Sequence, residues 1–159
     1  MICPPETYQQ WLETLNHLAE HPADRQALEA AARGLYPGRP TEAFLARLSD
    51  TASVMLTKNC RGFLRQLDRA LEDNEPDMAP VLAVRFRRSV ERCLFYRELA
   101  FLPEDYITTL DEGFAKQLQA FWSDFLRQLR LNARDSADPR MEDVAVLLRR
   151  ISIMPERRD

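Results

Sequence analysis

The chain has 159 residues, 45% of them hydrophobic and 30% charged, with a net charge of −3. A chain of this length suits one domain, able to bury about 70% of the surface its unfolded form exposes, so it needs neither disulfides nor metal to build a core. The composition excludes a disordered protein, and the even mixture of charge excludes a polycation built for bulk attraction to nucleic acid or anionic membrane.

Residues 1–80 hold eight Lys/Arg against twelve Asp/Glu, and residues 81–159 hold fourteen against thirteen. Arginine outnumbers lysine twenty to two, a ratio that a GC-rich coding genome explains more simply than selection for guanidinium chemistry. Three cysteines, Cys3, Cys60 and Cys93, form no C-x-x-C pair and fit a reducing compartment. The start MICPPETYQQ lacks the basic and apolar regions of a secretory signal. No run approaches the roughly eighteen apolar residues of a membrane span. The expected setting is a bacterial cytoplasm.

Four glycines, few β-branched residues and many Leu, Ala, Arg and Glu favour helix throughout. The first helix is expected over about 5–20, with Tyr8, Trp11, Leu12, Leu15, Leu18 and Ala19 at helical spacing and Pro22 as its stop. Pro22 opens a second, 22–33, and GLYPGRP (34–40) is a loop. Thr41 reads as the N-cap of a long segment, 41–72, in which Ser49-Asp50 is a site for a restart and Gly62 for a bend, leaving one helix or two.

After the loop EDNEPDMAP, with Asp77 as a cap, a helix is expected over about 78–101. Its apolar residues spread almost all round, as in a helix that is central or faces a partner as well as its core. Pro103 starts the next, 104–131, with a stripe from Ile107 to Leu129 widened by Trp122 and Leu126, and Gly113 as a weak point. Pro139 opens the last, 139–152. The ends, 1–4 and 154–159, are expected to be flexible. The expected architecture is a single-domain, all-α bundle of about six helices, with neighbours antiparallel.

NHLAEH (16–21) spells H-x-x-E-H and holds the only two histidines. This order supplies two imidazoles and a carboxylate base in large inverted-type zinc peptidases, which it resembles over five residues alone. At about 100° per residue, His17 falls opposite the apolar side and His21 well off it, so both should face water without a third ligand or a cleft. Purified protein should therefore hold less than one equivalent of zinc. No G-x-S-x-G elbow, phosphate loop or dinucleotide fingerprint occurs. Cys60 and Cys93 fall on apolar faces, as buried thiols do. No catalytic residue, metal or cofactor is assigned.

The arginines are the candidate site. Lys58, Arg61, Arg65 and Arg69 recur at three- and four-residue spacing, as do Arg85, Arg88 and Arg92. An antiparallel hairpin about 73–77 would put all seven on one surface, with Asp68, Glu72 and Glu91 as local neutralisers. The apolar excess at Phe95, Trp122 and Leu126 adds a candidate partner strip with Arg85, Arg88 and Arg92 at its rim. The leading expectation is a non-enzymatic interaction module (adaptor, regulator or chaperone-like) that binds another protein, or itself as a homodimer. The alternatives are a nucleic-acid-associated regulator using the arginine hairpin, and a small helical enzyme or ligand carrier with an internal pocket. No membrane role is expected.

Overall fold

Helix propensity and apolar periodicity are realised almost without interruption. A computed structural model describes residues 2–136 and 138–156, apart from the Ser136 side chain. Among these the fold is all-α, with α1 Tyr8–Glu20, α2 Arg25–Ala32, α3 Glu42–Glu72, α4 Met78–Cys93, α5 Glu104–Ser136 and α6 Pro139–Arg149, plus a 3-10 turn at Phe95–Glu98. The chain contacts group into two compact units, Met1–Lys58 with Glu91–Phe114, and Asn59–Val90 with Ala115–Asp159.

In the first unit, α1 begins at Thr7 rather than near residue 5, because Thr7 and Gln10 form a reciprocal capping box. It ends before Pro22 as expected. Pro22 does not open α2, however: Asp24 caps it, accepting from the Ala27 N–H at 3.2 Å. The small faces of Ala27, Ala30 and Ala31 are buried and let α2 pack closely on α1 and on the 3-10 turn.

Trp11, fully buried, organises this core. Its ring meets Phe44 and Phe101 edge-on, each with centroids 5.5 Å away, and its indole N–H donates to the Leu35 carbonyl at 2.6 Å. Gly34 is required beside it, because a Cβ there would lie 2.5 Å from Trp11 Cζ2.

The expected helix over 78–101 ends eight residues early. At Leu94 the chain leaves the α-helix for the 3-10 turn, which buries Leu94, Phe95, Tyr96 and Leu99 in the first unit. The apolar spread read as an all-round greasy helix is thus two elements with different faces. Asp111 on α5 fastens the turn: Tyr96 Oη donates to Asp111 Oδ1 at 2.6 Å and Arg97 Nε donates to the same oxygen at 2.9 Å. Burial, then the Asp111 carboxylate, pushes the Tyr96 phenol far above its ordinary range.

Thr41 caps α3, accepting from the Phe44 N–H at 3.2 Å. The helix then runs unbroken for 31 residues, so neither Ser49-Asp50 nor Gly62 divides it. Gly113 likewise leaves α5 continuous, and α5 extends five residues past its expected end at 131 because nothing before Asp138-Pro139 stops it. Helix α6 stops at Arg149, short of 152.

In the second unit, α3 ends in a Schellman motif. Asn74 takes φ 58°, Asn74 N–H donates to the Leu71 carbonyl and Glu75 N–H to that of Ala70. The chain reverses there and α4 returns antiparallel, with Phe63 stacked on Phe86 at 4.9 Å and Asn59 Nδ2 donating to the Ser89 carbonyl at 3.3 Å. Phe121, Trp122 and Phe125 complete an aromatic core around that pair. Met1 and 157–159 lie outside the described residues, as does part of each end expected to be flexible. Of the remainder, Pro4 is half-buried against α1, and Glu156 reaches Arg87 at 3.9 Å.

Candidate functional site

The α3–α4 hairpin sets the register of the arginines. The pairs Asn59/Ser89 and Phe63/Phe86 put Arg61 level with Arg87 and Arg88, Arg65 level with Ala83 and Val84, and Arg69 level with Ala79 and Pro80. Helical phase supplies their direction. At about 100° per residue, Arg65 stands about 160° round from Phe63, and Arg88 about 160° round from Phe86. Arg65, Arg69, Arg85 and Arg88 are rotated from the core in the same sense as Asn59 and Ser89, the residues that join the helices. The two stripes therefore lean toward each other on the outer face of the hairpin, with Arg61 on its far edge.

All five of these arginines are exposed, and among the described residues none makes an ion pair. Beside them α4 exposes two valines, Val81 at 43% and Val84 at 45%. Asp68 and Glu72 are the acids on this part of α3; at the same phase reckoning Asp68 lies on the flank away from α4, whereas Glu72 falls within about 20° of Arg65 and one turn beyond Arg69. Like-charged groups gathered on one face raise the local potential and favour an acidic ligand. Lys58 and Arg92, expected on the same surface, belong to the first unit. There Lys58 Nζ donates to the Glu20 carbonyl at 3.1 Å, and Arg92 is exposed.

One member of the expected apolar strip is corrected. Phe95 is 6% exposed and lies in the core of the first unit, so it offers no surface. Trp122 is half-buried and spends its ring on Phe63, Phe86 and Phe125, with centroids 5.2–6.2 Å away. Leu126 is half-buried as well. The exposed apolar residues on the arginine face of the hairpin are instead Val81 and Val84, which lie off the core face of α4.

His17 is more engaged than its phase suggested. Its Nε2 lies 2.7 Å from Asp24 Oδ2, so the carboxylate that caps α2 with one oxygen holds the imidazole with the other. That hydrogen bond, ahead of the Ala27 N–H, lowers the Asp24 pKa from its ordinary value. A nitrogen facing a carboxylate carries a proton there and is no metal ligand. His21 is exposed, its ring 4.9 Å from that of His17. Cys3, Glu13 and His17 line one hollow of about 330 Å³ beside α1. Among the described residues no three His, Cys, Asp or Glu side chains converge as a metal site, and no helix is long and apolar enough to cross a membrane.

Sequence reasoning missed two arrangements. Asp24 was legible as a helix cap, since an Asp before RQALEAAA is an N-cap signature, but its second contact depends on the angle of the turn. The other is a hollow in the second unit between α5 and α6, lined by Arg130, Arg134 and Arg149. Its members come from helices whose mutual placement no local pattern encodes. No protein-family model, curated protein or solved structure matches the chain.

Proposed function

We propose that this protein is a non-enzymatic helical interaction module whose docking surface is the outer face of the α3–α4 hairpin, and that it takes an acidic, partly apolar segment of a partner protein. One observation carries the reading: Arg61, Arg65, Arg69, Arg85 and Arg88 share the outer face of the hairpin with the exposed Val81 and Val84, and among the described residues they make no ion pair. Guanidinium groups bordering an apolar strip suit an interface, where arginine is enriched and aliphatic groups exclude water. A nucleic acid is a poorer occupant. The apolar groups on this face are valines, which offer no stacking platform, and the chain as a whole is acidic.

Affinity capture from the host, in parallel with wild type and an Arg65→Glu/Arg88→Glu variant shown by circular dichroism to be folded, tests this. Proteins retained by wild type, lost by the variant and unaffected by nuclease are the expected result. Retention that disappears with nuclease transfers the reading to nucleic acid. An identical set on both baits removes the hairpin face as the docking surface. Sedimentation of wild type at rising concentration identifies whether the partner is a second copy.

A further inference from the structure

We infer that the hollow between α5 and α6 is a binding site for a dianionic phosphate group, a site separate from the hairpin face and independent of the function proposed for it. Arg130 and Arg134 stand one turn apart on α5, and Arg149, the last residue of α6, faces the same hollow of about 240 Å³. Glu142 is the single carboxylate on its wall, and Ala145 and Val146 supply an apolar side. Three guanidinium groups against one carboxylate leave two positive charges.

Asp135 and Asp143, next in sequence to Arg134 and Glu142, are not in the lining of the hollow, and three other acids near it in the chain are committed elsewhere. Asp124 pairs with Arg127, Asp138 with Arg140 and Glu156 with Arg87. Among the described residues Arg130, Arg134 and Arg149 make no ion pair. The negative ends of two helices account for some of this: Arg134 lies in the last turn of α5 and Arg149 in that of α6. Arg130, a full turn further in, is not explained that way, nor is the convergence of all three on one concavity.

Charge and shape narrow the ligand. A carboxylate brings one negative charge and leaves the hollow positive. A phosphate monoester brings close to two at neutral pH and offers three acceptor oxygens to forked guanidinium donors. The volume is several times the roughly 30 Å³ share of one water, which leaves room for the group that carries the phosphate. Val146 and Ala145 would meet the carbon next to it. The same chemistry is offered by a phosphorylated side chain of a partner and by a small phosphate ester.

Calorimetry or ³¹P NMR with four probes tests the site: inorganic phosphate, glycerol phosphate, a phosphoserine peptide and its unphosphorylated twin. Saturable binding of the phosphorylated probes is expected, at least tenfold weaker in Arg134→Gln and in Arg149→Gln. It should be unchanged in Arg127→Gln, whose arginine pairs with Asp124 outside the hollow. Sulfate should compete. Affinity for the phosphate monoesters should fall as pH drops below about 6, where the dianion gains a proton, while affinity for sulfate should not. A peptide that binds better than glycerol phosphate identifies a docked protein; equal or reversed affinity identifies a small ester. No saturable phosphate binding overturns the inference, as does equal binding by all three variants.

Discussion

Gly34→Ala and two matched substitutions, Gly62→Ala and Gly113→Ala, should move stability in opposite directions. At Gly34 the added methyl would stand 2.5 Å from Trp11 Cζ2, 2.9 Å from Cη2 and 3.0 Å from Pro5 Cγ, where ordinary contact begins at 3.4 Å. The indole must yield by almost 1 Å and has nowhere to go. Phe44 and Phe101 close it in, and its N–H is bound to the carbonyl of Leu35, the next residue. Overpacking of this kind costs about 1–3 kcal/mol, and a strained or lost indole hydrogen bond adds about 1 kcal/mol. The sum is a loss of roughly 2–4 kcal/mol, or a fall in Tm of roughly 5–15 °C for a chain of this size. At Gly62 and Gly113 a methyl meets nothing within 4 Å, and both lie inside helices, α3 and α5. Alanine there should add about 0.5–1 kcal/mol each by removing backbone freedom from the unfolded chain. Urea and thermal unfolding followed by circular dichroism give all three values. A Gly34→Ala protein within about 0.5 kcal/mol of wild type, against the 1–3 kcal/mol usual for overpacking, would refute the close approach at Trp11, as would a common sign for all three.

Two further outcomes follow from hydrogen bonds at the edge of the first unit. Tyr96→Phe removes a donor to Asp111 while Arg97 keeps its own, so the loss should be about 1–2 kcal/mol, read as a lower urea midpoint at unchanged slope. Because the Tyr96 phenol is raised, its contribution is fully present below the ordinary value of about 10 and is lost as pH climbs through the folded one; a Tyr96 that titrates with the other tyrosines in native protein would contradict this. The Asp24 carboxyl is lowered, so the opposite sign holds: its contribution is present above the ordinary value of about 3.9 and disappears as pH falls through the folded one. In NMR titration its midpoint should rise toward that value in His17→Phe, and an unmoved midpoint would mean that His17 is not the principal cause.

How far the sequence speaks depends on whether a feature is local. Thr41 capping α3 and Pro139 opening α6 are decided within four residues, and both were read correctly. The extension of α5 was readable too, because no breaker stands between Leu131 and Asp138. The error over 78–101 had a signal in plain view. Cys93, Leu94, Phe95 and Tyr96 are all buried, and four consecutive residues of an α-helix sweep about 300°, so one α-helical face cannot bury them. A change of helix type lets them share one core. The antiparallel hairpin was legible because a five-residue turn leaves that packing as the simple outcome. The Asp24–His17 contact and the α5–α6 hollow were not, since each needs an angle between helices that side-chain packing alone determines.

The arginines show why composition and placement are different kinds of information. A coding bias explains why twenty of twenty-two Lys/Arg residues are arginine, but it acts equally on every position. It therefore predicts guanidinium groups scattered among acids, as Arg25 sits by Glu29, Arg127 by Asp124 and Arg140 by Asp138. Arg97 goes further and is built into the fold through Asp111. Two groups depart from that pattern. Five arginines share the hairpin face and three share the α5–α6 hollow, with no ion pair among the described residues. Each concentration of like charge opposes folding and returns nothing to the isolated chain. A bound anion removes that cost, and it removes it differently at the two places: an open face with valines suits an extended acidic partner, whereas a hollow with two net charges suits a compact dianion.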